Sequence, residues 1–422
     1  MTTPQSGTLL DGRYELGEQI GEGGFARVFS AVDRQSEEAV AVKFPNYEGS
    51  SNDPGVVEEY FAREARTLGD IAEVGGHPNV MTLRDQGTAG DTAYLVVEHV
   101  DGYELDEAID RTGPLEENLV EQVRQVGIDL CDAMSFLHGN EIVYRDLKPD
   151  NVMLTAVEGR PKPILIDFNT ATGFDDSGAR DSGTTILGPY KPPEIAAAGQ
   201  GDARLGPWSD VYSIGKILLF LLKGTIPQKD GVNPRDFGVD CEPYLADIVE
   251  KATRSACDER YQNATAMKHV LSERDPASPP EAALTFLQTG DEYTLFPGDT
   301  LGRWDTVGPT PSIAIEDDGE YISTVQVQFD VAERGGASTD SGPGWGGKWK
   351  LRDRSLNGTY VQRGDGWQRV LSENGRERLR DRGEDPTDRH GDVPPAEISL
   401  SDGDVVALVH PSYGVTFQFE QL

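Results

Sequence analysis

The length of the chain, 422 residues, predicts two or three domains, each large enough to bury its own core. The formal net charge is −35 and 37% of the residues are hydrophobic, so a strongly acidic, water-soluble protein is expected. Because a negative surface repels phosphate groups, neither nucleic acid nor an anionic membrane is expected as a partner.

The basic residues are mainly arginine, since only 11 of the 38 are lysine. This acidic, lysine-poor composition resembles that of halophilic proteins, whose hydrated carboxylates keep molecules apart in a salty cytoplasm. Three widely separated cysteines, Cys131, Cys241 and Cys257, predict neither a disulfide framework nor a zinc site. Residues 1–10 lack the features of a signal peptide, and the longest apolar stretch, 217–222, is too short to span a bilayer. A cytoplasmic location is therefore expected.

The first predicted elements are short strands punctuated by glycine, from Tyr14 to about Pro45, and strands return between Val80 and Val100. A helix is predicted between these two regions, with Glu64 beside its apolar stripe of Phe61, Ala65, Leu68 and Ala72. A small sheet-rich lobe is therefore expected at the start of the chain.

Apolar residues at helical spacing from Leu119 predict a long buried helix, and helical character dominates from Trp208 to about Leu271. Prolines and polar residues in 273–283 are typical of a domain linker. Residues 284–422 change to short strands and turns, which predict an all-β sandwich. Two of its loops, Gly335–Gly347 and Ser372–Glu397, have the composition of disordered segments.

The motif with the clearest chemistry is Asp146-Leu147-Lys148-Pro149-Asp150-Asn151, followed by Asp167-Phe168-Asn169. Two aspartates, a lysine and an asparagine at these spacings suit transfer of the γ-phosphoryl group of Mg-ATP to a hydroxyl. The transition state of that reaction needs positioned charge and bound metal more than covalent help from the protein.

With these motifs, the segment from Tyr14 to about Leu271 resembles a eukaryotic-like (Hanks-type) Ser/Thr protein kinase. The resemblance predicts an α+β bilobal kinase fold over 14–272, with ATP and Mg²⁺ as cofactors and protein hydroxyls as substrates. It implies that Asp146 accepts or orients the proton of the substrate hydroxyl and that Lys148 steadies the γ-phosphoryl charge. Asn151 and Asp167 would hold Mg²⁺.

The resemblance also implies a nucleotide site at the start of the chain. Lys43 would hold the α- and β-phosphates with Glu64 as its ion-pair partner, and Gly21 and Gly23 would let the backbone approach the phosphates. Val97 would guard the adenine pocket. The implied nucleotide-binding residues are Gly21, Gly23, Val28, Ala41, Lys43, Glu98, Val100, Asn151 and Asp167.

Several positions depart from the kinase pattern or support it structurally. Ala26 replaces the third glycine, Tyr144 replaces a histidine at a packing position, and Asn169 replaces a glycine, where asparagine tolerates left-handed backbone angles. Two scaffold contacts are predicted: Asp210 accepts backbone hydrogen bonds from the catalytic loop, and Glu194 of Pro192-Pro193-Glu194 pairs with Arg260.

Regulation is predicted between Asp167 and Glu194. Arg145 marks the class of kinases in which a phosphorylated residue of the activation segment is gripped by basic side chains. The candidate phosphorylation sites are Ser182, Thr184 and Thr185. Ile186-Leu187 stand where the family commonly has Gly-Thr, so the preference for substrate residues stays open.

Residues 284–422 resemble a forkhead-associated (FHA) domain, a β-sandwich whose loops bind phosphothreonine. The motifs are Leu301-Gly302-Arg303, Ser323-Thr324, the run from Asp353 to Val361, and Leu400-Ser401-Asp402-Gly403-Asp404. The resemblance implies that Arg303 grips the phosphate, Ser323 and Thr324 donate to its oxygens, and Asn357 holds the peptide backbone. Gln326 replaces the usual structural histidine, and Leu356 replaces a threonine.

The sequence therefore predicts a Ser/Thr protein kinase whose FHA domain recruits phosphothreonine partners or docks on the phosphorylated activation segment or linker. A catalytically silent kinase fold that acts as a scaffold is the main alternative, and it is disfavoured because Lys43, Asp146, Asn151 and Asp167 are all present. A small-molecule phosphotransferase with the same fold is also possible in principle, but Pro192-Pro193-Glu194 and Arg260 are typical of the protein-kinase branch.

Overall fold

The computed structural model describes residues 5–50, 52–73, 75–112, 120–140, 142–157, 160–173, 188–198, 205–276, 282–303, 311–317, 319, 321–331, 348–364, 366–387 and 391–421. The described residues form two compact units, one up to Gly173 and from 188 to Ser255, the other from Ala256 onward. No helix in these ranges combines the length and the apolar character needed to cross a membrane. All three cysteines are free thiols, as the sequence predicts.

The first unit begins with a sheet of six strands: β1 Leu9–Leu10, β2 Tyr14–Glu22, β3 Ala26–Asp33, β4 Ala39–Pro45, β5 Leu83–Ala89 and β6 Thr92–Glu98. All neighbours are antiparallel, in the order β1-β2-β3-β4-β6-β5. Alternate residues point into one core that includes Leu16, Phe29, Val42, Phe44 and Val96. The strands predicted for both regions of this lobe are confirmed.

Helix α1, Pro54–Glu73, follows β4 as predicted. Its buried face has the spacing of one helical stripe: Val57, Phe61, Glu64, Leu68 and Ile71. The predicted stripe was wrong at its end, because Ala72 is exposed and Ile71 takes the inward position. Glu64 is itself buried, so a carboxylate lies on the core side of this helix.

The rest of the first unit is mainly helical. Its elements are β7 Tyr103–Glu104, α2 Leu105–Thr112, α3 Val120–Gly139, β8 Ile142–Val143, β9 Val152–Val157, β10 Arg160–Leu165, β11 Thr172–Gly173, α4 Pro193–Ala198, α5 Pro207–Lys223 and α6 Pro243–Ala252, with short 3-10 helices at Pro149–Asn151 and Pro234–Phe237. The predicted long helix is α3; Leu119, where the prediction began, lies outside the described residues. The β9–β10 hairpin joins Asn151 to the segment that carries Asp167.

Helix α5 is buried on every side over residues 209–222, which include the apolar run 217–222. A helix that is apolar all round lies inside a core. It ends at Gly224, whose φ of 76° is the left-handed conformation that closes many helices. This helix is the rigid element from which the catalytic loop is held.

The second unit contains α7 Ala264–Glu273, β12 Ala282–Phe286, β13 Glu292–Leu295, β14 Thr300–Arg303, β15 Ile313–Ile315, β16 Val327–Val331, β17 Trp349–Asp353, β18 Thr359–Arg363, β19 Gly366–Val370, α8 Glu373–Asp381, β20 Glu397–Ser399, β21 Val405–Leu408 and β22 Thr416–Gln421, with 3-10 helices at Cys257–Glu259 and Pro411–Tyr413. One sheet has the order β13-β12-β22-β21-β18-β19 and the other β15-β14-β16-β17-β20. Both contribute to one core, where Trp349 meets Phe419 edge to face. The predicted β-sandwich is confirmed.

The run Ser372–Glu397 was wrongly predicted to be disordered, because it contains helix α8. The buried Ser372 caps this helix by accepting a hydrogen bond from Gly375 N (3.0 Å), and its own N–H donates to Asp353 Oδ2 (2.8 Å). Glu373 pairs with Arg376 one turn later. Composition alone misses this helix because a buried cap stabilises it. The other loop, Gly335–Gly347, lies outside the described residues.

Helix α7 groups with the sandwich, although the sequence assigned it to the kinase domain. Asn263 caps α7 by accepting from Ala266 N (2.8 Å), and its amide donates to Asp299 Oδ1 (3.1 Å). Asp299 is buried in the turn before β14 and also accepts from Phe296 N (2.7 Å). The domain limits 14–272 and 284–422 stay predictions.

Candidate active site

The predicted catalytic loop, which carries Asp146, is held in place by a buried carboxylate. Asp210, on the first turns of α5, is fully buried and accepts hydrogen bonds from Tyr144 N (2.9 Å) and Arg145 N (2.8 Å). His138 Nε2 lies 2.8 Å from the same carboxylate. The predicted contact between Asp210 and the catalytic loop is confirmed. It offsets an unfavourable backbone angle, because Arg145 has φ of 68°.

Asp146 follows Arg145 and carries the carboxylate at the centre of the loop. Asn151 Nδ2 donates to the carbonyl oxygen of Asp146 (2.7 Å) and to its Oδ2 (3.1 Å). Lys148 Nζ lies 3.5 Å from Oδ2 and 3.9 Å from Asp150. Two of the residues predicted from their spacing, Lys148 and Asn151, therefore converge on the carboxylate of the third, Asp146. Lys191, which the sequence analysis did not single out, contacts the other oxygen.

Asp167 lies just beyond β10, and Ile166 N donates to Asn151 O (3.1 Å), which keeps the two segments adjacent. Asn169 N donates to Asp167 Oδ1 (3.1 Å), so a side-chain turn closes this segment. The sequence expected Asn169 to adopt left-handed angles, but Asn169 is not among the residues with positive φ, whereas Arg145 of the neighbouring loop is. Phe168 is buried and packs edge to face on Tyr144, 5.1 Å between ring centroids.

Lys43 and Glu64 form the ion pair predicted between β4 and α1. Both are buried, 6% and 1% exposed. Burial alone lowers the pKa of Lys43, but the carboxylates of Glu64 and Asp167 outweigh it, so the pKa is raised and the ammonium stays charged. Glu64 also accepts a backbone hydrogen bond from Phe168. Lys43, Glu64 and the Asp167-Phe168 segment thus interact with one another through charges and a backbone hydrogen bond.

The glycine-rich turn joins β2 and β3, with Gly23 N donating to Ala26 O (2.8 Å). A Cβ on Gly21 would meet Val28 at 3.6 Å, and one on Gly23 would meet nothing closer than Ala26 O at 3.8 Å. Neither glycine has positive φ. Packing and backbone conformation therefore tolerate a side chain at both positions, and the role of these glycines in phosphate binding stays a prediction.

The remaining predicted nucleotide residues lie on adjacent strands. Val28 of β3 is the register partner of Lys43, and Ala41 of β4 is the partner of Val97 in β6. Val97 is buried, while Glu98 and Val100, at and just beyond the end of β6, are partly exposed. These residues form one strip along the sheet that ends at Lys43.

The residues just before and at the start of α4 are hydrogen-bonded to α5. Glu194 accepts a hydrogen bond from Ser209 Oγ (2.8 Å), and Ser213 Oγ donates to Tyr190 O (3.0 Å). The pairing of Glu194 with Arg260 stays a prediction. Ser182, Thr184, Thr185 and Ile186-Leu187 lie outside the described residues.

The predicted phosphopeptide residues lie at one end of the sandwich. Arg303 ends β14; its backbone N donates to Ser323 O (3.0 Å) and its Nε to Ile322 O (3.1 Å). A Cβ on Gly302 would lie 2.0 Å from Thr324 O, so only glycine permits this close approach. Ser323 and Thr324 lie in the loop before β16.

Gln326 connects these loops from inside the sandwich. It is fully buried; Oε1 accepts from Ser323 N (3.0 Å), and Nε2 donates to Gly358 O (2.9 Å) and Thr359 Oγ1 (3.1 Å). An amide supplies both a donor and acceptor, so glutamine suits a position that connects two loops.

Asn357 and its neighbour complete this end of the sandwich. Asn357 Nδ2 donates to Tyr321 O (2.6 Å), and Arg378 of α8 donates to Asn357 Oδ1 (3.3 Å). Leu356 is exposed beside it. The inserted helix α8 therefore contacts a residue of the predicted binding face, which the sequence did not indicate.

The first unit has the fold and the charged site of a protein kinase. A family model for the protein kinase domain matches residues 14–282, and the chain belongs to this family. It is 32% identical over 302 residues to serine/threonine-protein kinase PknB of Mycobacterium leprae, with 67% of this chain and 46% of that protein covered.

Two further relatives have similar coverage. Serine/threonine-protein kinase C of Synechocystis is 31% identical over 64% of this chain and 51% of its own length. Serine/threonine-protein kinase PknB of Mycolicibacterium smegmatis is 31% identical over 74% of this chain and 50% of its own length. The chain thus spans about half the length of the curated relatives that it matches.

Proposed function

We propose that this chain is an ATP-dependent Ser/Thr protein kinase. The observation that carries the proposal is the convergence of Lys148 and Asn151 on the carboxylate of Asp146, on a loop that Asp210 holds in place. The names of the relatives, all serine/threonine-protein kinases, support the same activity. A kinase fold that served only as a scaffold would not need these charged side chains at these positions.

Each residue has a specific task in this reaction. Asp146 accepts or orients the proton of the protein hydroxyl that attacks the γ-phosphorus, and Lys148 stabilises charge on the transferring phosphoryl oxygens. Lys43, held charged between two carboxylates, contacts the α- and β-phosphates. Gly21 and Gly23 cover the phosphates with backbone, and the backbone of Glu98 and Val100 meets the adenine.

The donor set fits Mg²⁺. Asn151 uses its amide nitrogen on Asp146, which leaves its oxygen for a cation, and Asp167 supplies carboxylate oxygen. Mg²⁺ takes one or two protein ligands and completes its shell with water and phosphate oxygens, so one amide oxygen and one carboxylate are a sufficient protein contribution.

Phosphate incorporation into the chain itself tests the kinase assignment. Asp146→Asn and Lys43→Met should each abolish autophosphorylation with Mg-ATP while circular dichroism shows an unchanged fold. Asp91→Asn, in the exposed turn before β6, is the matched control and should keep full activity. Undiminished incorporation in Asp146→Asn would refute the catalytic role of that residue. The assays should include high salt, because the charge of −35 repels itself without screening.

We further propose that the sandwich is an FHA domain that binds phosphothreonine, and that it recruits substrates or docks on the phosphorylated activation segment or linker. Arg303 and Asn357 are connected through Ile322 and Tyr321, neighbours in a single loop. A guanidinium beside hydroxyl and amide donors from separate loops is the chemistry that grips a phosphorylated side chain.

A degenerate phosphothreonine peptide library, read by fluorescence polarisation, tests this second proposal. Binding should require the phosphate and be lost in Arg303→Ala. Arg352→Ala is the matched control, because Arg352 lies on β17 and pairs with Glu397 at 3.1 Å. Equal binding by Arg303→Ala and the parent would remove the assignment of the pocket.

A further inference from the structure

Lys191 lies between Gly188 and the start of α4, and its side chain reaches the catalytic loop. Its Nζ is 3.4 Å from Asp146 Oδ1, and the two side chains are only 20% and 13% exposed. Most lysines on a protein surface extend into water. This lysine instead ends against the carboxylate to which the proposed function gives the central role.

The backbone that carries Lys191 is held in three ways. Lys191 N donates to Gly188 O (3.1 Å), which closes a turn. Ser213 on α5 donates to the carbonyl of Tyr190, and the ring of Tyr190 meets Phe220 edge to face at 6.1 Å. Since α5 is buried and also carries Asp210, one rigid helix positions both Lys191 and the loop of Asp146.

The two oxygens of Asp146 have different partners. Oδ2 is contacted by Asn151 and Lys148, whereas Oδ1 is contacted by Lys191. Lys148 also lies 3.9 Å from Asp150, and Glu104 interacts electrostatically with both of these residues. The phenol of Tyr144 interacts electrostatically with Asp146. A carboxylate held at both oxygens has little freedom to rotate, so its orientation toward a hydroxyl is set in advance.

We infer that Lys191 is a positioning residue for phosphoryl transfer: its ammonium holds Asp146 Oδ1 and so couples the end of the activation segment to the catalytic carboxylate. The inference rests on the proposed kinase function.

The experiment uses the full chain and the initial rate of phosphate incorporation as a function of ATP concentration. Lys191→Met and Lys191→Gln should lower the maximal rate by about tenfold to hundredfold, as expected when a catalytic group loses the contact that orients it. The KM for ATP should change by less than about twofold, because Lys191 acts through Asp146. Lys191→Arg keeps the cation and should retain most of the rate.

Rescue by the conservative variant separates positioning from simple loss of packing. The neutral variants lose the contact to Asp146 Oδ1, whereas Lys191→Arg can still place a cation there. Lys162→Met, on β10, is the control and should match the parent in rate and in KM for ATP.

Each outcome decides the inference. A parental rate in Lys191→Met, an equal loss in Lys191→Arg, a large rise in the KM for ATP of the neutral variants, or failure of both neutral variants to fold would each overturn it. If instead Asp146→Asn keeps the parental rate, the catalytic assignment itself fails. That result differs from the case in which the parent is active and the Lys191 variants have the same rate as the parent.

Discussion

The buried pair of Lys43 and Glu64 allows a prediction that separates stability from catalysis. Removing one partner of a buried ion pair leaves an uncompensated charge and costs about 3–5 kcal/mol, whereas replacing both by apolar residues is often nearly neutral. Lys43→Met and Glu64→Met should therefore each destabilise the first unit by about that amount.

The double variant should recover most of this loss. Glu64 also accepts a hydrogen bond from the backbone of Phe168, and leaving that N–H without a partner costs about 1–3 kcal/mol. Lys43→Met/Glu64→Met is therefore expected about 1–3 kcal/mol below the parent, far less than the sum of about 6–10 kcal/mol for independent sites. All three variants should lose phosphate incorporation, because Lys43→Met and the double variant lack the ammonium that contacts the phosphates and Glu64→Met lacks the carboxylate that holds it in place.

Hydrogen–deuterium exchange of peptides from β4 and α1 is the appropriate measurement. Four of the five tryptophans follow residue 300, so tryptophan fluorescence would report mainly on the second unit. Exchange rates in these peptides convert to local opening free energies. A double variant destabilised by the full sum of the single variants would refute the coupling, and an active double variant would refute the role of Lys43.

Three further predictions concern the glycine-rich turn, the catalytic loop and the sandwich. Gly21→Ala and Gly23→Ala should raise the KM for ATP about tenfold and leave thermal stability unchanged, because their Cβ atoms meet only ordinary contacts within the chain; a large drop in melting temperature would contradict this. Asp210→Asn should lose about 2–3 kcal/mol and speed amide exchange at Tyr144, since a neutral amide cannot accept both backbone hydrogen bonds equally well; unchanged exchange would argue against the anchor. Burial raises the pKa of Asp299 from 3.8 to about 6, so the folded second unit binds this proton more tightly than the unfolded chain. Its free energy of unfolding should therefore fall as pH rises from about 4 to about 6, and Asp299→Asn should weaken that decline in thermal unfolding followed by tryptophan fluorescence; an identical pH dependence would be the contrary result.

The sequence was sufficient to predict the contacts around Asp146 because the residues that make them are close along the chain. Asp146, Lys148 and Asn151 share one loop, and any fold that forms this loop brings them together. Lys43 and Glu64 lie on consecutive elements whose periodicity is readable, so their pairing was also predictable. Strand alternation likewise predicted the sandwich.

Only the tertiary structure decided the features that depend on distant partners. Composition made Ser372–Glu397 look disordered, but a cap buried against Asp353 stabilises α8. The positive φ of Arg145 is tolerated because Asp210, 65 residues away, accepts its N–H.

The same reason explains why Lys191 was not recognised: no local pattern marks a lysine whose carboxylate partner is brought to it by the packing of α5. Local spacing fixes which chemical groups are available, whereas burial and long-range hydrogen bonds fix which of them meet. Such long-range contacts can stabilise the local conformation of a segment only once the core has formed and has brought the partners together.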